Sequence, residues 1–306
     1  MYRGKGGKWG SVAVLLGSLL LAGQTWGGAA LVAADRPTSA QRPLQFGLLP
    51  YLSTRKLFSY YAPLQHYLER KLGRPVRMST APDFFTYIQR AREGQYDLYH
   101  TAPHFAAQAE AEFGYRRVSR LMRELDGSIV VARSSNIHSA AGLRGRTLIT
   151  PDTLAIVTFL GMQWLRDHGL QPGVDIEVKH APSHNSAIMA VARGDVEAAV
   201  TSTAAFENMP QKISSRLRVL GRTKKVPHMM FMAGPHLSDQ EYQQLRKAVL
   251  AYTAKGAGKE YFLLTGHGDM GPITDQDMQR LLPFLNELNV KLQALSKSQH
   301  DVGLKH

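Results

Sequence analysis

Residues 44–73 read LQFGLLPYLSTRKLFSYYAPLQHYLERKLG, and this stretch decides the class of fold. Its first seven residues form an apolar run that predicts a strand. A helical pattern follows from about Leu57 to Leu72, and Gly73 ends it. Five side chains recur at the spacing of one helix face: Leu57, Tyr61, Leu64, Leu68 and Leu72. The stretch therefore predicts a strand, a loop and an amphipathic helix in succession.

The same alternation continues along the chain. Further strand-like runs are VRMST, YDLYH, RRVSRLM, GSIVVAR, TLIT, IEVKH, VEAAVTS, RVLGR and MMFMAG. Helical patterns lie between them at 84–92, 103–113, 153–168 and 185–193, and three more follow at 239–252, 259–264 and 275–295. Strands that alternate with helices are typical of a parallel-rich α/β sheet.

The pattern divides into two lobes. Residues 44–128 form a first α/β unit, and the alternation starts again to give a second unit at 129–229. The three C-terminal helices return to the first lobe, which then also contains residues 230–300. A chain that leaves the first lobe near Gly127 and returns near Met229 crosses twice. Two crossings predict a hinge that lets the lobes close over a ligand in the cleft between them.

The N-terminal residues 1–34 have the pattern of an export signal. Three basic residues, Arg3, Lys5 and Lys8, precede an apolar run from Val12 to Ala22, which is shorter than the roughly 20 residues of a membrane span. Small side chains at 32–34 predict cleavage before Asp35, and residues 35–43 form a polar, flexible leader. An uncleaved membrane anchor is the alternative. Export places the protein in the periplasm.

The composition excludes several classes of function. The chain has 306 residues, a net charge of +13 and a pI of about 9.9, but its basic residues are spread out. Nucleic-acid arms show runs of basic residues instead, so we expect no nucleic-acid partner. Cysteine is absent, which excludes disulfides, thiolate ligands, a cysteine nucleophile and a lipoprotein anchor.

Several motifs occur in the order and spacing of a known family. They include FGLLPY at 46–51, APDF at 81–84, GQYDLYHTAPHFA at 94–106, HNSAIMAVARGDVEAAVTS at 184–202 and the dipeptide Val226-Pro227. With them the chain resembles the substrate-binding proteins of phosphonate, phosphite and phosphate ABC transporters over about residues 44–264. The resemblance implies a two-lobed type 2 periplasmic-binding-protein fold, with the ligand held between the lobes by strand-to-helix loops and helix N-termini.

The chain departs from this family at the positions that grip the ligand. In members of this family the first helix of the second lobe begins with Ser-Thr-Ser. At the matching positions this chain has Ala155, Ile156 and Val157, whose side chains carry no hydrogen-bond donor. Ala204 and Met229 replace the acids that bind the amine of aminophosphonates. A slipped alignment is one interpretation; we favour a pocket altered for a less charged ligand, because losing every donor should cost most of the affinity.

Eight residues are the predicted ligand-binding set. Phe84 and Thr101 replace family tyrosines, and His184 matches a ligand-binding histidine of the family. The full set is Tyr51, Phe84, His100, Thr101, Thr153, Thr158, His184 and His228. Met229 and Met230 could add an apolar wall, although methionines are more often core.

The cleft histidines leave a metal site open as an alternative. The pairs His100/His104 and His180/His184 have helical spacing, but Pro103 and Pro182 lie inside them and disfavour one continuous helix. Hydrogen-bonded polar histidines are the favoured interpretation, and no metal or other cofactor is predicted.

Catalytic motifs are not supported. GHGDMG at 266–271 matches G-x-G-x-x-G, but it follows a helix and runs into Pro272, so it predicts a loop and not a dinucleotide site. The sequence has no G-x-S-x-G elbow and no H-E-x-x-H helix. We therefore expect a binding protein and not an enzyme, although an enzyme on the same fold is a third hypothesis.

Two binding functions fit the pattern. The first is a monomeric receptor that delivers a small, possibly anionic, solute to an ABC permease. The alternative is a ligand-sensing periplasmic subunit that presents its closed form to a membrane sensor kinase. Both use closure driven by a ligand, so the sequence does not separate them.

Overall fold

The computed structural model describes residues 42–303, and their side chains as far as Lys297. The predicted export signal and most of the predicted leader lie outside the described residues. In the part of the chain that the structure describes, none of the helices combines the length and the apolar character needed to span a bilayer.

The first half of the chain begins with four strands and three helices. They are β1 (Leu44–Leu48), α1 (Thr54–Leu72), β2 (Val76–Ser79), α2 (Phe84–Arg92), β3 (Leu98–Thr101), α3 (Pro103–Phe113) and β4 (Arg116–Leu121). The next block is β5 (Gly127–Ala132), a 3₁₀ helix (Ala140–Leu143), β6 (Thr147–Thr150), α4 (Ile156–Asp167), β7 (Glu177–His180), α5 (His184–Arg193), β8 (Ala198–Ser202), α6 (Thr203–Glu207), α7 (Gln211–Ser214) and β9 (Leu217–Arg222).

The chain ends with two strands and four helices. They are β10 (Met230–Ala233), α8 (Asp239–Leu250), α9 (Lys259–Thr265), β11 (Met270–Gly271), α10 (Asp275–Gln279) and α11 (Leu282–Gly303).

Two separate sheets form the lobes. The first has the order β11-β4-β10-β3-β1-β2, and the second has the order β7-β6-β8-β5-β9. β1 is parallel to β2 and β3, and β6 is parallel to β7 and β8. Because the carboxyl ends of parallel strands meet at one edge of a sheet, the loops that follow them gather there. Each lobe therefore presents a row of loops and helix starts.

The chain passes between the lobes twice, after β4 and before β10. The two crossing segments pair with each other: Leu125 and Val226 exchange backbone hydrogen bonds of 2.9 and 2.8 Å. The two-lobed α/β fold predicted from the sequence is confirmed by this architecture and by its likeness to known structures described below. β5 starts at Gly127, two residues before the lobe boundary that we placed at 129.

The helix predicted at residues 57–72 corresponds to α1, and the burial of its side chains explains the sequence pattern. Leu57, Tyr61, Leu64 and Leu68 are all buried, so one face of α1 packs on the sheet. The helix ends where Gly73 takes a φ of 64°, which only glycine adopts without strain, and donates its N–H to Glu69.

Three sequence expectations differ from the structure. The helix predicted at 153–168 starts only at Ile156, because Asp152 accepts the N–H of Leu154 and holds a turn there. The helix predicted at 275–295 is two helices, α10 and α11. The end of the predicted flexible leader is held, because Arg42 pairs with the fully buried Asp97 at 2.6 Å.

The apolar core crosses from one lobe to the other. The largest cluster contains first-lobe residues such as Phe105 and Phe231 together with Ile156, Val157 and Leu160 of α4. Two smaller clusters lie on the two faces of the second sheet. The start of α4 is therefore part of the first lobe's core in this closed arrangement.

Candidate functional site

The predicted ligand-binding residues fall into separate groups. Tyr51, His100, Thr101 and His228 lie in the first lobe or at the second crossing. Thr153 and Thr158 lie around the start of α4, and His184 starts α5. Phe84 starts α2. The structure gives each group its own partners, described in turn below.

Tyr51 and His100 belong to one hydrogen-bonded network. The Tyr51 hydroxyl lies 3.2 Å from that of Tyr61, which lies 3.3 Å from Nε2 of His100. The His100 ring also packs on Phe231, with centroids 4.4 Å apart. Thr101, the next residue of β3, is fully buried opposite Met230. The network runs from the loop after β1 into the interior of the first lobe.

A pair of histidines lies beside this network at the second crossing. The rings of His228 and His267 have centroids 5.2 Å apart, and His267 comes from the loop that the sequence showed as GHGDMG. Met229 donates its N–H to Nδ1 of His228 at 2.8 Å. An Nδ1 that accepts leaves the proton of the neutral ring on Nε2.

Burial keeps these imidazoles neutral. Burial, followed by the neighbouring His267, Arg123 and Arg120, lowers the pKa of His228 to about 3. Burial, then Arg123, lowers the pKa of His267 to about 4. The pKa of His100 is lowered well below its usual value by burial, His267 and His228. At neutral pH this region therefore offers neutral donors and acceptors.

Phe84 begins a row of rings that crosses between the lobes. Its ring meets that of Phe105 edge-on at 5.8 Å, Phe105 packs on His104 at 4.1 Å, and His104 packs on Phe159 at 5.2 Å. Nε2 of the buried His104 donates to the carbonyl of Leu154 at 2.9 Å. Because α3 and the loop before α4 belong to different lobes, this hydrogen bond joins the lobes directly.

The start of α4 is apolar and buried. Its N-cap residue, Ala155, makes no side-chain hydrogen bond, and Ile156 and Val157 are only 6% and 2% exposed. Both side chains pack in the cluster shared with the first lobe. The start of α4 therefore makes an apolar contact between the lobes.

The two predicted threonines are already engaged by protein groups. The Thr158 hydroxyl is fully buried and donates to the carbonyl of Asp152 at 2.8 Å. The Thr153 hydroxyl accepts from the Lys291 ammonium at 3.3 Å. Neither hydroxyl has its whole hydrogen-bonding capacity left for a ligand.

His184 has the same arrangement as His228. The Ser202 N–H donates to its Nδ1 at 3.1 Å, with the Thr201 hydroxyl 3.3 Å from the same atom. Burial lowers the pKa of His184 to about 4. The ring is therefore neutral with its proton on Nε2. This arrangement ties the start of α5 to the end of β8, at the cleft edge of the second sheet.

Sequence reasoning missed three residues of this region: Tyr61, His267 and Lys291. Tyr61 was assigned to the core face of a helix, and the pattern gives no sign that its hydroxyl bridges Tyr51 and His100. His267 lay in a loop with no assigned chemistry. Lys291 lies far along the chain, so only the packing of α11 on α4 reveals it.

Metal binding receives no support within residues 42–297. Among these described side chains, no three His, Asp or Glu residues come together in a way that could hold a metal ion. The eight residues predicted from the sequence stay a prediction as a ligand-binding set.

Comparison with known families gives a match over most of the chain. Residues 46–278 match the family described as "ABC transporter, phosphonate, periplasmic substrate-binding protein". This range includes both lobes and both crossings.

Solved structures share the fold at low sequence identity. A binding protein of a phosphonate ABC transporter from Pseudomonas aeruginosa has a TM-score of 0.67 and 18% identity, over 86% of this chain and 99% of its own. PhnD1 of Prochlorococcus marinus with methylphosphonate has a TM-score of 0.70 and 15% identity, over 80% and 98%. A Xanthomonas citri protein bound to ATP has a TM-score of 0.68 and 19% identity, over 83% and 98%.

Proposed function

The chain belongs to the family of periplasmic substrate-binding proteins of phosphonate ABC transporters, and on this premise we propose that its cleft is altered for a less charged ligand. The protein captures this small molecule between its lobes in the periplasm and delivers it to an ABC permease. Closure of the lobes is the signal that the permease recognises. The protein carries out no chemical step on the ligand.

The apolar start of α4 is the observation that carries this proposal. A phosphonate dianion needs donors, and Ile156 and Val157 offer side chains that exclude water and donate nothing. Leaving the oxygens of such an anion without donors in a buried site costs several kcal/mol of affinity, of order 1–3 kcal/mol for each lost partner. A ligand with an apolar part avoids this cost.

The neutral histidines add to the same argument. His184 and His228 each have Nδ1 occupied by a backbone N–H and carry their proton on Nε2. Neutral donors bind the oxygen of a carbonyl, ether or hydroxyl group without requiring a full negative charge on the ligand. We propose both as donors to the ligand, together with an apolar contact from Phe84.

Thermal unfolding with candidate ligands tests the proposal. A ligand at 100 times its dissociation constant adds about 2.7 kcal/mol to the free energy of unfolding, which gives a clear rise in Tm. We expect methylphosphonate, phosphite and phosphate to leave the Tm unchanged at millimolar concentration. Uncharged solutes with an apolar part and one acceptor oxygen should raise it.

A triple variant provides the matched control. Ala155→Ser, Ile156→Thr and Val157→Ser together restore the family pattern, and we expect methylphosphonate to raise the Tm of this variant. A strong shift of the unaltered protein by methylphosphonate would show that the pocket still takes phosphonates and would overturn the proposed alteration.

Presentation to a membrane sensor kinase is the alternative use of the same closure. The two functions differ in what the closed protein stimulates. Reconstituted with a permease and its ATPase in vesicles, a transport receptor raises ATP hydrolysis and uptake when its ligand is present, whereas a sensory subunit changes neither.

A further inference from the structure

A second concave surface lies outside the interlobe cleft, between α4, β9 and α11. The groove has a volume of about 580 Å³, within the range of small-molecule sites. Its lining includes none of the eight residues predicted to bind the transported ligand. The groove is lined by residues of the 3₁₀ helix and its N-cap, α4, β9 with the residues after it, and α11: Ser139, Ala140, Leu160, Gln163, Trp164, Asp167, His168, Leu220, Gly221, Arg222, Lys224 and Phe284. We call this surface the α4–α11 groove.

Trp164 forms the centre of the α4–α11 groove. A Cβ on Gly221 would lie 2.6 Å from Cζ2 of the indole, so the ring lies flat against the bare backbone of β9. The His168 ring packs on the indole with centroids 4.1 Å apart, and its Nδ1 donates a hydrogen bond to the Trp164 carbonyl at 2.7 Å. The strand, the histidine and α4 therefore hold the indole, which is half-buried and lines the groove.

The walls beside Trp164 suit a flat apolar body. Leu160 is buried and Leu220 half-buried on the side of the second lobe, and the largely buried ring of Phe284, 7% exposed at the start of α11, reaches the lining from the first lobe. Aromatic rings favour aromatic partners in stacked or edge-on contact, worth about 0.5–1.5 kcal/mol beyond the burial of area. The α4–α11 groove therefore selects for a planar ring.

The rim of the groove is cationic. Arg222 and Lys224 line it against one acid, Asp167, which pairs with Lys224 at 3.0 Å. The acids that pair with Arg222, at 3.5 and 3.8 Å, are Glu207 and Asp126, and neither lines the groove. The lining therefore contributes two cations and one acid, and a carboxylate on the occupant would contact cations that already have protein partners.

We infer that the α4–α11 groove is a second binding site, for a small planar aromatic carboxylate. The ring of the occupant lies between Trp164 and Phe284, and its carboxylate faces Lys224 and Arg222. This site is separate from the one proposed for the cleft, because the two surfaces share no predicted ligand-binding residue.

Such an occupant would contact both lobes. α4 belongs to the second lobe, whereas α11 is fastened to α3 of the first lobe by Asn289, whose side chain lies 2.7 Å from Gln108 and 2.6 Å from Glu112. A molecule that bridges Trp164 and Phe284 therefore favours the arrangement in which the lobes are closed.

Fluorine NMR of the full-length chain labelled with 5-fluorotryptophan tests the inference. The sequence has three tryptophans, and Trp164→Phe assigns the resonance of this site. Benzoate is the probe, with benzyl alcohol as the ring without charge and acetate as the charge without a ring. We expect a saturable shift of the Trp164 resonance with benzoate and weaker binding of both comparison molecules.

Two neighbouring lysines supply the matched variants. Lys224→Gln removes a groove cation and should raise the dissociation constant of benzoate about two- to fivefold, the range of an exposed ion pair. Lys225→Gln, which changes an exposed side chain that does not line the groove, should leave it unchanged. Phe284→Leu keeps an apolar side chain but removes the ring, and should weaken benzoate about two- to tenfold.

Three results would overturn the inference. One is a Trp164 resonance that does not shift with benzoate at tens of millimolar. Another is equal binding by the Lys224→Gln and Lys225→Gln variants and the unaltered protein. The third is binding of acetate as tight as that of benzoate, which would show a simple anion site without selection for a ring.

Discussion

Several histidine side chains of this protein lie in surroundings that do not favour their charged form. Burial lowers the pKa of His104 to about 3, opposed in part by its hydrogen bond to the Leu154 carbonyl. Burial also lowers the pKa of His184 and His267 to about 4 and that of His228 to about 3. In the unfolded chain the same side chains titrate near 6.5. Folding is therefore linked to the loss of protons.

This linkage predicts a steep loss of stability in acid. Below about pH 6.5 the unfolded chain binds protons that the folded chain excludes, so the free energy of unfolding falls with pH. The fall continues until the folded pKa values near 3 and 4 are reached. Each buried histidine contributes up to about 1.4 kcal/mol per pH unit. Urea unfolding at pH 7.5, 6 and 5 measures the slope.

His104→Gln tests the contribution of one ring. Glutamine keeps an N–H for the Leu154 carbonyl but does not titrate, so the pH slope should decrease by up to about 1.4 kcal/mol per unit. His66→Gln is the control, because His66 is exposed on α1 and the slope should not change. A slope that is equal in both variants would contradict the assignment.

Single residues also show what the sequence could and could not predict about the site. The places of His100, His184 and His228 near strand ends and the second crossing could be predicted from the order of strands and helices, whereas their contact with a ligand stays a prediction. The roles of Tyr61 and Lys291 were not readable, because both depend on partners 39 or more residues away along the chain. A hydroxyl on an apolar helix face has the same pattern whether it is bonded or not.

Helix α4 approaches its sheet closely at Gly161. A Cβ on Gly161 would lie 2.6 and 2.9 Å from the two methyl carbons of Val200 on β8. Distances this short force a shift of the helix, and a branched side chain on a strand has little freedom to move away. The position of α4, and with it that of its apolar start, depends on this glycine.

Gly161→Ala should therefore destabilise the protein. Alanine favours the helix by about 1 kcal/mol, but overpacking in the core costs about 1–3 kcal/mol, so we expect a net loss of up to about 2 kcal/mol in urea unfolding. Adding Val200→Ala makes room for the new methyl group. The double variant should lose less than the sum of the two single losses. A Gly161→Ala protein that is more stable than the original would refute the close approach.

Helix limits were predictable where the sequence marks both ends. α2 and α3 have the predicted bounds, because Asp83 caps α2 and Pro103 and Gly114 delimit α3. α4 began later than predicted because the turn at Asp152 depends on a side-chain hydrogen bond that periodicity does not show. α10 and α11 were predicted as one helix because their apolar patterns follow each other, although Pro283, the second residue of α11, marks the break between them.

At the scale of the whole molecule, the lobes are joined by more than their two crossings. The hydrogen bond of His104, the apolar start of α4 and helix α11 all connect them. The two lobes followed from the order of strands and helices. The strength of the contact between the lobes could not be predicted from the sequence, because it depends on which surfaces of the two lobes meet. Helix α11 was expected to pack only in the first lobe.

α11 bridges the lobes through an ion pair that can be reversed. Arg166 of α4 lies 3.0 Å from Glu287 of α11, partly exposed, so the pair is worth about 0.2–1 kcal/mol. Glu287→Lys removes this attraction and adds a repulsion of similar size, so the ligand-free lobes should open more often and the radius of gyration by X-ray scattering should increase. Glu112→Lys is the control, because Glu112 contacts α11 within the first lobe. An unchanged radius for Glu287→Lys, or an equal increase in both variants, would show that α11 does not hold the lobes together.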